Sequence, residues 1–495
     1  MSDQSNHGAQ LLSLTRAARL VGISRGALQK KIKSGELPTF EGMVMPEDLL
    51  RAYPDTQLED VSIIEHYTLI KDEAFAHRLR ERLLPEPEVL AERLANLGRE
   101  LAQSKALVEH YKAVTDWLYE KFSAYEKTGS AEIKAVMGPF KQWLRHELEK
   151  ESGRAHLQSL VVKESFLRLM TAHVRLLPNR REFFVEGSDS ILDAALHAGI
   201  SLRYGCSNGN CGLCKAKVTS GKTLPMRHSD YHFSETEKAQ GYVLLCSCTA
   251  VSDLEIETNE ISGTADIPQQ EIAARVKKVE RLGDDMVLLH LQTPRTKRLQ
   301  FLAGQSARIE TGNGAEAVYP VASCPCDDRN LQFHIRRTPG DRLSDYVFHK
   351  IKNTDIVNVT GPQGEFTLHE DSPRSLIFLA YGSGFAPIKS LIEHAMARDL
   401  TETMHLYWLA EKNGHYLNNL CRAWTDALDN FLYTPVETGP TNFSAALGRV
   451  SMDHPDLASF DIYIAGPAAF LTAVNEFLHD KHFPAHQLYS GAIKE

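Results

Sequence analysis

Four cysteines between positions 206 and 246 constrain this chain more than any other feature of its sequence. Cys206, Cys211 and Cys214 are spaced as C-x4-C-x2-C, and Cys246 follows after a gap of 31 residues. This spacing is typical of loops that hold a [2Fe–2S] cluster on four thiolates, and the loop glycines allow the backbone amides to turn toward the sulfurs. The pattern therefore predicts that these four cysteines are metal ligands.

A structural zinc site and a pair of disulfides are the other common uses of four cysteines. Zinc sites usually carry two C-x2-C pairs, and here Cys211 and Cys214 form the only such pair. Disulfide frameworks suit small secreted domains, which this chain of 495 residues does not resemble. The iron–sulfur cluster is therefore the preferred interpretation. The remaining cysteines are expected to stay reduced: Cys248, Cys324, Cys326 and Cys421.

The composition predicts a globular protein of three or more domains, with 43% hydrophobic and 24% charged residues. A formal net charge of −9 argues against a protein that coats nucleic acid or an anionic membrane through its whole surface. No run approaches the ~18 apolar residues of a membrane span, and the first residues lack a signal-peptide pattern. These features favour a cytoplasmic protein that does not enter a membrane.

Residues 10–56 are predicted to form a compact helical unit. A break at Gly22 separates two helices, and Pro46 opens a third. Residues 17–25 resemble the helix-turn-helix of excisionase-like and MerR-like proteins, which implies contact with DNA. Residues 14–34 hold six basic side chains and no acidic one, a composition that suits phosphate contacts. A protein-docking role for the same fold is equally open.

Residues 57–168 are predicted to form a long helical region with a coiled-coil pattern. Mostly apolar residues recur at alternating intervals of four and three positions over residues 90–125, and the pattern is not interrupted. The pattern predicts a helix of roughly 50 Å that begins near Pro87 and ends at residues 128–130. Its narrow apolar seam needs a partner. A helix over residues 131–150 that folds back on it and a homodimer through residues 90–125 are both open.

Residues 172–262 surround the cysteine motif and are predicted to form a small mixed domain. The sequence predicts a hairpin over residues 174–185 and a short amphipathic helix over residues 190–198. The segment resembles the β-grasp ferredoxin domain in residues 203–205 before the cysteine loop and in residues 244–248 around the last cysteine. The resemblance implies that the cluster is of the [2Fe–2S] ferredoxin type.

Residues 269–370 alternate like an antiparallel β-barrel. Their landmarks resemble the ferredoxin–NADP reductase family: FLAGQ at 301–305, YPVAS at 319–323, FHIRR at 333–337 and PGDRLS at 339–344. The resemblance implies FAD, with a tyrosine on the flavin ring and the amides of a helix start on its phosphates. The cofactor-binding residues that it implies here are Tyr319, Ser323, Arg336, Gly340, Arg342, Leu343 and Ser344.

One part of the flavin motif departs from that family. Where the family has Arg-x-Tyr-Ser, this chain has Ala317, Val318, Tyr319 and Pro320. The diphosphate therefore lacks a guanidinium whose charge-assisted bonds are worth about 1.5–3 kcal/mol, and Pro320 offers no hydroxyl. Ser323 and a nearby arginine are the candidates for compensation.

Residues 373–495 are predicted to form a doubly wound α/β domain. A glycine turn stands directly between a buried strand and a helix, so that a pyrophosphate can approach the helix amides. It resembles the family's Gly-Thr-Gly-x-Ala-Pro nucleotide loop, and a Gly-Pro pair follows a later strand as in the family. The implied nucleotide-binding residues are Gly382, Ser383, Gly384, Pro387, Gly466 and Pro467.

Two further residues bear on the nicotinamide nucleotide. Glu411 follows the second strand of the domain and disfavours a 2′-phosphate by repulsion, which favours NADH over NADPH. Ala465 stands where the family often has a cysteine near the nicotinamide, and this predicts a slower hydride transfer.

The sequence as a whole predicts a multidomain α+β fold: a helical N-terminal region, a β-grasp ferredoxin domain, an antiparallel flavin barrel and an α/β nucleotide domain. Residues 172–495 resemble the reductase component of bacterial oxygenase or deoxysugar systems. The resemblance implies an oxidoreductase that passes electrons from NAD(P)H through a flavin to the cluster and on to a redox partner protein, with no acid–base catalytic residue. The alternative is a redox-responsive regulator whose N-terminal unit binds DNA.

Overall fold

The computed structural model describes residues 12–21, 23, 25–34, 36–39, 43–53, 85–128, 138–140, 142–143, 165–261, 263–294, 296–439 and 442–493. No helix among these residues is long and apolar enough to cross a membrane.

The N-terminal unit, residues 12–53, packs three short helices around a small apolar core. Leu20, Leu28 and Leu49 are fully buried in that core. Helices lie on both sides of Gly22 and after Pro46, as the sequence predicts. That this unit is a helix-turn-helix stays a prediction. Its elements are β1 (Leu12–Ser13), α1 (Leu14–Val21), α2 (Arg25–Lys33), β2 (Met43–Val44) and α3 (Pro46–Ala52).

A single long helix, α4 (Pro87–Thr128), occupies the predicted coiled-coil region and has 42 residues. Val89 in its first turns is buried, whereas Val108 in the seam is 65% exposed. Near its distal end, the ring of Phe140 packs edge-on against Phe122 at 5.4 Å between centroids. Most of the predicted helix over residues 131–150 lies outside the described residues. Helix α4 is therefore anchored at its start and presents apolar side chains along the rest of its length.

The cluster domain, residues 171–257, is a five-stranded sheet with the order β4-β3-β9-β5-β7 and one helix across it. Strands β3 and β9 run parallel, while the other neighbours are antiparallel. The predicted hairpin and helix are both present, and Ser190 caps the helix by accepting the N–H of Asp193. The elements are β3 (Thr171–Leu177), β4 (Arg181–Glu186), α5 (Ile191–His197), β5 (Lys215–Ser220), β6 (Thr223–Pro225), α6 (Glu235–Ala239), β7 (Tyr242–Leu244), β8 (Cys248–Ala250) and β9 (Leu254–Glu257).

The flavin barrel, residues 270–363, is a six-stranded antiparallel sheet with the order β13-β12-β15-β10-β11-β14. Alternate side chains of its strands point inward, so that Leu289, Ile309 and Phe333 form a fully buried core. One helix follows β14. The elements are β10 (Gln270–Arg281), β11 (Met286–Gln292), β12 (Ser306–Thr311), β13 (Glu316–Pro320), β14 (Asn330–Arg336), α7 (Arg342–His349) and β15 (Ile356–Gln363).

The nucleotide domain, residues 375–492, is a parallel five-stranded sheet with the order β18-β17-β16-β19-β20. The chain runs outward from β16 to β18 and then returns to β19 on the other side of β16. The elements are β16 (Ser375–Tyr381), α8 (Phe385–Arg398), β17 (Met404–Ala410), α9 (Asn418–Ala427), β18 (Phe431–Glu437), α10 (Ser444–Asp453), β19 (Phe460–Gly466), α11 (Ala468–Asp480) and β20 (Leu488–Ala492). Short 3-10 turns cover Thr264–Asp266, Pro325–Asp327, Gly382–Gly384, Leu457–Ser459 and Ala485–Gln487.

Candidate redox site

The cluster loop, residues 206–214, folds its backbone around its own sulfurs. The N–H groups of Asn210 and Cys211 each lie 3.2 Å from Cys206 Sγ, and the N–H of Leu213 lies 3.5 Å from Cys211 Sγ. Gly212 has a positive φ, and a Cβ there would clash with the ring of Tyr231. The loop amides therefore stabilise negative charge on the sulfurs, in a conformation that requires glycine at this position.

The four cysteines lie as two pairs. Cys206 and Cys211 share the backbone contacts of the loop, while Cys214 and Cys246 hydrogen-bond to each other. No group of three or more potential ligands around a single ion occurs among the described residues. Two pairs of thiols fit the two irons of a [2Fe–2S] cluster better than one zinc ion.

Two of the four cysteines have a lowered pKa, whereas the hydrogen bond with Cys246 and burial raise the pKa of Cys214. The hydrogen bond from Cys214 and that from Ser247 lower the pKa of Cys246 to about 6, although burial opposes this. Burial also opposes ionisation of Cys206, but the loop amides hold the pKa of that thiol below its ordinary value. The same amides would donate to a bound cluster.

The predicted flavin site centres on Tyr319, in β13. Its hydroxyl donates to Asp341 Oδ2 at 2.9 Å, and Asp341 Oδ1 accepts the N–H of Leu343 at 3.0 Å. Asp341 is thus the N-cap of α7, the helix that was predicted to bind the flavin phosphates. We call Tyr319, Asp341 and the first turn of α7 the flavin cradle. The sequence prediction assigned no role to Asp341, which places a carboxylate where phosphate was expected.

The other predicted flavin residues surround the cradle. Gly340 has a positive φ, and a Cβ at this position would meet no atom within 4 Å, so the backbone here is open to a ligand. Ser344 is fully buried and its hydroxyl bonds to the backbone of Thr338 at both N and O. Arg342 is exposed at the start of α7, whereas Arg336 pairs with Asp285 at 3.1 Å. Arg336 is therefore engaged with Asp285, whereas the side chain of Arg342 is exposed beside the cradle.

Ser323 lies at the junction of the barrel and the nucleotide domain. Its hydroxyl accepts the N–H of Gln332 at 3.2 Å, and its carbonyl accepts Ser390 Oγ at 2.8 Å. Ser323 is therefore occupied in joining two domains. The residues of the barrel fit a flavin at the ring, whereas Asp341 places a negative charge at the helix start that was predicted to bind the phosphates.

The predicted nucleotide loop lies at the topological switch point of the parallel sheet. Gly382, Ser383 and Gly384 follow β16. Gly466 ends β19 and Pro467 follows it, and β19 is the neighbour of β16 on the side where the strand order reverses. Ligands bind in the crevice at this point in open α/β sheets. The structure thus brings together five of the six predicted residues at the place that the fold reserves for a ligand.

Close packing makes the second glycine of the loop irreplaceable. A Cβ on Gly384 would clash with the backbone of Ala465 at the end of β19. Pro387, the sixth predicted residue, is buried in the first turn of α8. Glu411 is exposed directly after β17. The loop fits a dinucleotide whose pyrophosphate meets the start of α8.

A buried polar junction that the sequence did not reveal joins α8 to the barrel. Lys389 Nζ donates to the carbonyl of Ala322 at 3.1 Å and pairs with Glu393 at 2.6 Å. Glu393 also accepts the N–H of Cys324 at 3.1 Å. Lysine and glutamate four residues apart on a helix usually signal an exposed pair, and here both are 4% exposed.

The expectation that all four remaining cysteines stay reduced is wrong for one pair. Cys324 and Cys326 are joined by a disulfide, with 5.1 Å between their Cα atoms. The 3-10 turn Pro325–Asp327 brings the two side chains to one side of the chain, and the separation lies in the range that a disulfide can span. Cys248 and Cys421 are free thiols, as expected.

The N-terminal region docks on one corner of the cluster domain, residues 250–253. Arg16 is 9% exposed and pairs with Asp253 at 2.7 Å. Arg93 of α4 is 1% exposed and donates to the carbonyl of Ala250 at 3.0 Å. Asn96 donates to the carbonyl of Val251 at 2.9 Å. One of the six basic residues predicted for phosphate contacts is therefore committed to an internal ion pair.

Comparison with known protein families accounts for the three C-terminal regions. Residues 174–251 match the 2Fe-2S iron-sulfur cluster binding domain, residues 273–368 the oxidoreductase FAD-binding domain, and residues 378–476 the oxidoreductase NAD-binding domain. These matches confirm the predicted [2Fe–2S] cluster, FAD and NAD(P)H as cofactors.

Individual relatives match this chain over more than half of its length. CDP-6-deoxy-L-threo-D-glycero-4-hexulose-3-dehydrase reductase of Yersinia pestis is 31% identical over 316 residues, which is 63% of this chain and 95% of the relative. Terephthalate 1,2-dioxygenase, reductase component 1, of Comamonas sp is 33% identical over 264 residues, or 53% of this chain and 78% of the relative. Amycolatopsis cytochrome P450 reductase GcoB, a solved structure, is 24% identical with a TM-score of 0.42, and the match covers 65% of this chain and 98% of that one.

Proposed function

The chain belongs to the [2Fe–2S] flavoprotein reductases, and from this premise we propose that it is the electron-supplying component of a two-protein oxygenase or deoxysugar system. As an oxidoreductase it carries electrons from NAD(P)H through FAD to the cluster. One relative is named as the reductase component of a dioxygenase, and another as the reductase of a deoxyhexulose dehydrase. The acceptor of this chain is accordingly a separate redox protein.

The observation that carries the proposal is the way in which α8 is fastened to the barrel. This helix begins at the nucleotide loop, and its Lys389 and Ser390 bond to the carbonyls of Ala322 and Ser323. Those carbonyls follow the strand that carries Tyr319. The nucleotide loop and the flavin cradle are thus held side by side by buried bonds, which fixes the relative position of two cofactors that must react with each other.

The residues of the chain bind and orient, and no side chain has to donate or remove a proton. FAD supplies the chemistry when bound, since it accepts a hydride and releases electrons one at a time. The amides at the start of α8 would hold the pyrophosphate of the nucleotide, Tyr319 would hold the flavin ring, and the loop amides would stabilise the cluster thiolates. Ala465 leaves the end of β19 without a thiol beside the nicotinamide.

The proposal is tested by the absorption spectrum of the purified holoprotein under anaerobic conditions. Addition of NADH should bleach the flavin bands and the cluster bands, and the reduced protein should then reduce a one-electron acceptor such as cytochrome c. A Cys246→Ser variant should still bleach its flavin but lose cytochrome c reduction. Bleaching of neither cofactor by NADH or NADPH contradicts the proposed function.

NADH is the proposed electron donor because Glu411 is exposed at the carboxyl end of β17, the neighbour of β16. A carboxylate there repels the 2′-phosphate of NADPH. Glu411→Gln should lower the ratio of kcat/KM for NADH to that for NADPH several-fold, mainly by raising activity with NADPH. Glu476→Gln, on the exposed side of α11, is the matched control and should leave the ratio unchanged. A wild-type preference for NADPH would overturn this assignment.

We propose that the N-terminal unit docks protein and does not contact DNA, because Arg16 is buried against Asp253. The ion pair of Arg16 with Asp253 attaches it to the cluster domain. A mobility-shift assay of the full chain at low salt should show no specific complex with genomic DNA fragments. A sequence-specific shift that disappears on substitution of basic residues 25–33 would restore the DNA-binding regulator as the function. No observation among the described residues favours that alternative.

A homodimer through the seam of α4 is the oligomeric state that we propose. Leu101, Val108 and Tyr111 are each more than half exposed and fall on the heptad of residues 90–125. Light scattering should give the mass of a dimer for the full chain, and Val108→Glu together with Tyr111→Glu should give the mass of a monomer. A monomeric wild type would indicate instead that residues 131–150 fold back on the seam.

A further inference from the structure

Two parts of the cluster domain meet the flavin barrel at one buried polar network. Tyr204 hydroxyl donates to Asp328 Oδ2 at 2.5 Å, and Arg298 pairs with Asp328 at 3.3 Å. Arg298 also pairs with Asp193 of α5 at 2.8 Å. Tyr204 and Asp193 belong to the cluster domain, whereas Asp328 and Arg298 belong to loops of the barrel. The network thus spans the junction between the two domains.

Burial makes this network costly to break. Tyr204 is 6% exposed, Asp328 is 3% exposed and Arg298 is 8% exposed. Burial raises the pKa of Asp328 to about 6, and the charge of Arg298 and the hydroxyl of Tyr204 act against that rise. A carboxylate in the interior depends on each of its partners, because removal of one leaves a charge that neither water nor protein compensates.

The position of Tyr204 links the network to the cluster. Only Gly205 separates it from Cys206, the first ligand of the cluster loop. The backbone of the same segment is held as well, since Gln300 Nε2 donates to the carbonyl of Leu202. The barrel therefore holds the segment that enters the cluster loop at two points: the side chain of Tyr204 and the backbone carbonyl of Leu202.

We propose that Tyr204, Asp328 and Arg298 form a positioning clamp that fixes the entry of the cluster loop against the flavin barrel and so sets the rate at which the cluster is reduced. Each hydride taken from NADH leaves the flavin as two electrons, which enter the cluster one at a time. The clamp acts on that passage through distance and orientation, and it exchanges neither protons nor electrons itself. The inference rests on the electron path given above.

The test compares Tyr204→Phe with Tyr407→Phe in the holoprotein. Tyr407 is fully buried in β17, and its hydroxyl donates to Asp453 at 2.9 Å, so that both variants lose one tyrosine–aspartate bond but only one loses it at the domain junction. Anaerobic stopped-flow spectra after mixing with NADH give the rates of flavin bleaching and cluster bleaching separately. Tyr204→Phe should slow cluster bleaching roughly tenfold while flavin bleaching stays within about twofold of wild type, because small misplacements of reacting groups have large effects on rate.

A second measurement does not depend on turnover. Hydrogen exchange of the oxidised holoprotein should increase over residues 199–205 in Tyr204→Phe and in Asp328→Asn, and should not increase there in Tyr407→Phe. Asp328→Asn also serves if Tyr204→Phe does not fold, since asparagine can still accept from the tyrosine but no longer pairs with Arg298. The low-temperature electron spin resonance signal of the reduced cluster should be unchanged in Tyr204→Phe and in Asp328→Asn.

Equal cluster-bleaching rates in Tyr204→Phe and Tyr407→Phe would overturn the clamp, as would a parallel loss of both bleaching steps. These outcomes are separate from failure of the electron path, in which the wild-type cluster would not bleach at all.

Discussion

The cluster loop and the flavin cradle differ in what holds the cofactor. In the cluster loop, all cysteines of the motif are present, and backbone amides such as those of Asn210 and Cys211 contact the sulfur of Cys206. In the flavin cradle, Ala317 stands where an arginine was expected, and a carboxylate, Asp341, caps the helix that was predicted to bind the phosphates. The cluster site keeps its four cysteine ligands and the backbone amides that support them, whereas the flavin site lacks one of its charged side chains.

This difference indicates which of the two sites can tolerate substitutions and still bind its cofactor. A loop conformation that turns its amides inward persists as long as the glycines and cysteines persist. A diphosphate site loses about 1.5–3 kcal/mol when one charge-assisted bond is removed, and it can still function with a weaker cofactor affinity. We therefore expect the cluster to be retained tightly and FAD to exchange with solution.

The largest effect that tests this comparison is loss of the cluster in Cys246→Ser. Serine is a poor ligand for iron in this setting, so iron and sulfide should fall to background while the FAD content is unchanged. Iron analysis and the visible spectrum measure both quantities. Cys248→Ala, a buried cysteine two residues away, is the control and should keep the full iron content. Loss of FAD together with iron would show that the two sites are not independent.

Ala317→Arg should strengthen FAD binding by about tenfold or more, since it restores a guanidinium beside the diphosphate. Fluorescence titration of the apoprotein with FAD gives the Kd. Val318→Arg adds the same charge on the neighbouring residue, whose side chain is 49% exposed, and should have a much smaller effect. Similar Kd values for wild type and Ala317→Arg would mean that the cradle already compensates for the missing arginine.

Asp341→Asn should strengthen FAD binding by roughly fivefold, corresponding to about 1 kcal/mol for removal of one charge near a phosphate. Asparagine keeps the ability to cap α7, so the helix should remain intact. Asp345→Asn, in the first turn of the same helix, controls for net charge, and its effect on the Kd should be smaller. Weaker FAD binding in Asp341→Asn would indicate that Asp341 helps to hold the flavin through Tyr319.

The barrel should also be sensitive to mild acid through His290. Burial, followed by the charge of Lys278, lowers the pKa of His290 to about 4, whereas the unfolded chain takes up this proton near pH 6.5. The stability due to neutral His290 is therefore complete above about pH 6.5 and is lost as the pH falls toward 4. The loss at pH 5 should be about 1 kcal/mol after allowance for partial exposure.

Thermal unfolding between pH 7 and pH 5 measures this effect. His290→Gln should show a smaller fall in Tm than wild type over that range, and exposed His349→Gln should behave like wild type. A fall in Tm that is the same in all three proteins would assign the acid sensitivity to other groups.

Local motifs made the cluster loop, the nucleotide loop and the α4 helix predictable from sequence. The spacing of the cysteines and the turn at Gly382–Gly384 depend on neighbours a few residues apart, which a sequence displays directly. Tyr204 and Asp328 are separated by 124 positions, and no periodicity connects them. The buried roles of Lys389 and Arg93 were equally hidden, because charged residues on helices usually face water. Asp341 lies within the PGDRLS motif, but its capping role could not be predicted because it depends on the residue at which α7 begins.

The anchoring of α4 through Arg93 has a consequence for any protein that occupies the far part of its seam. From Arg93 to Thr128 the helix extends about 50 Å, rigidly attached to the domain that carries the cluster. A protein held there is tethered, so its concentration around the cluster is set by the length of the helix and not by its concentration in solution. While such a protein stays bound, electron delivery to it would not depend on its concentration in solution.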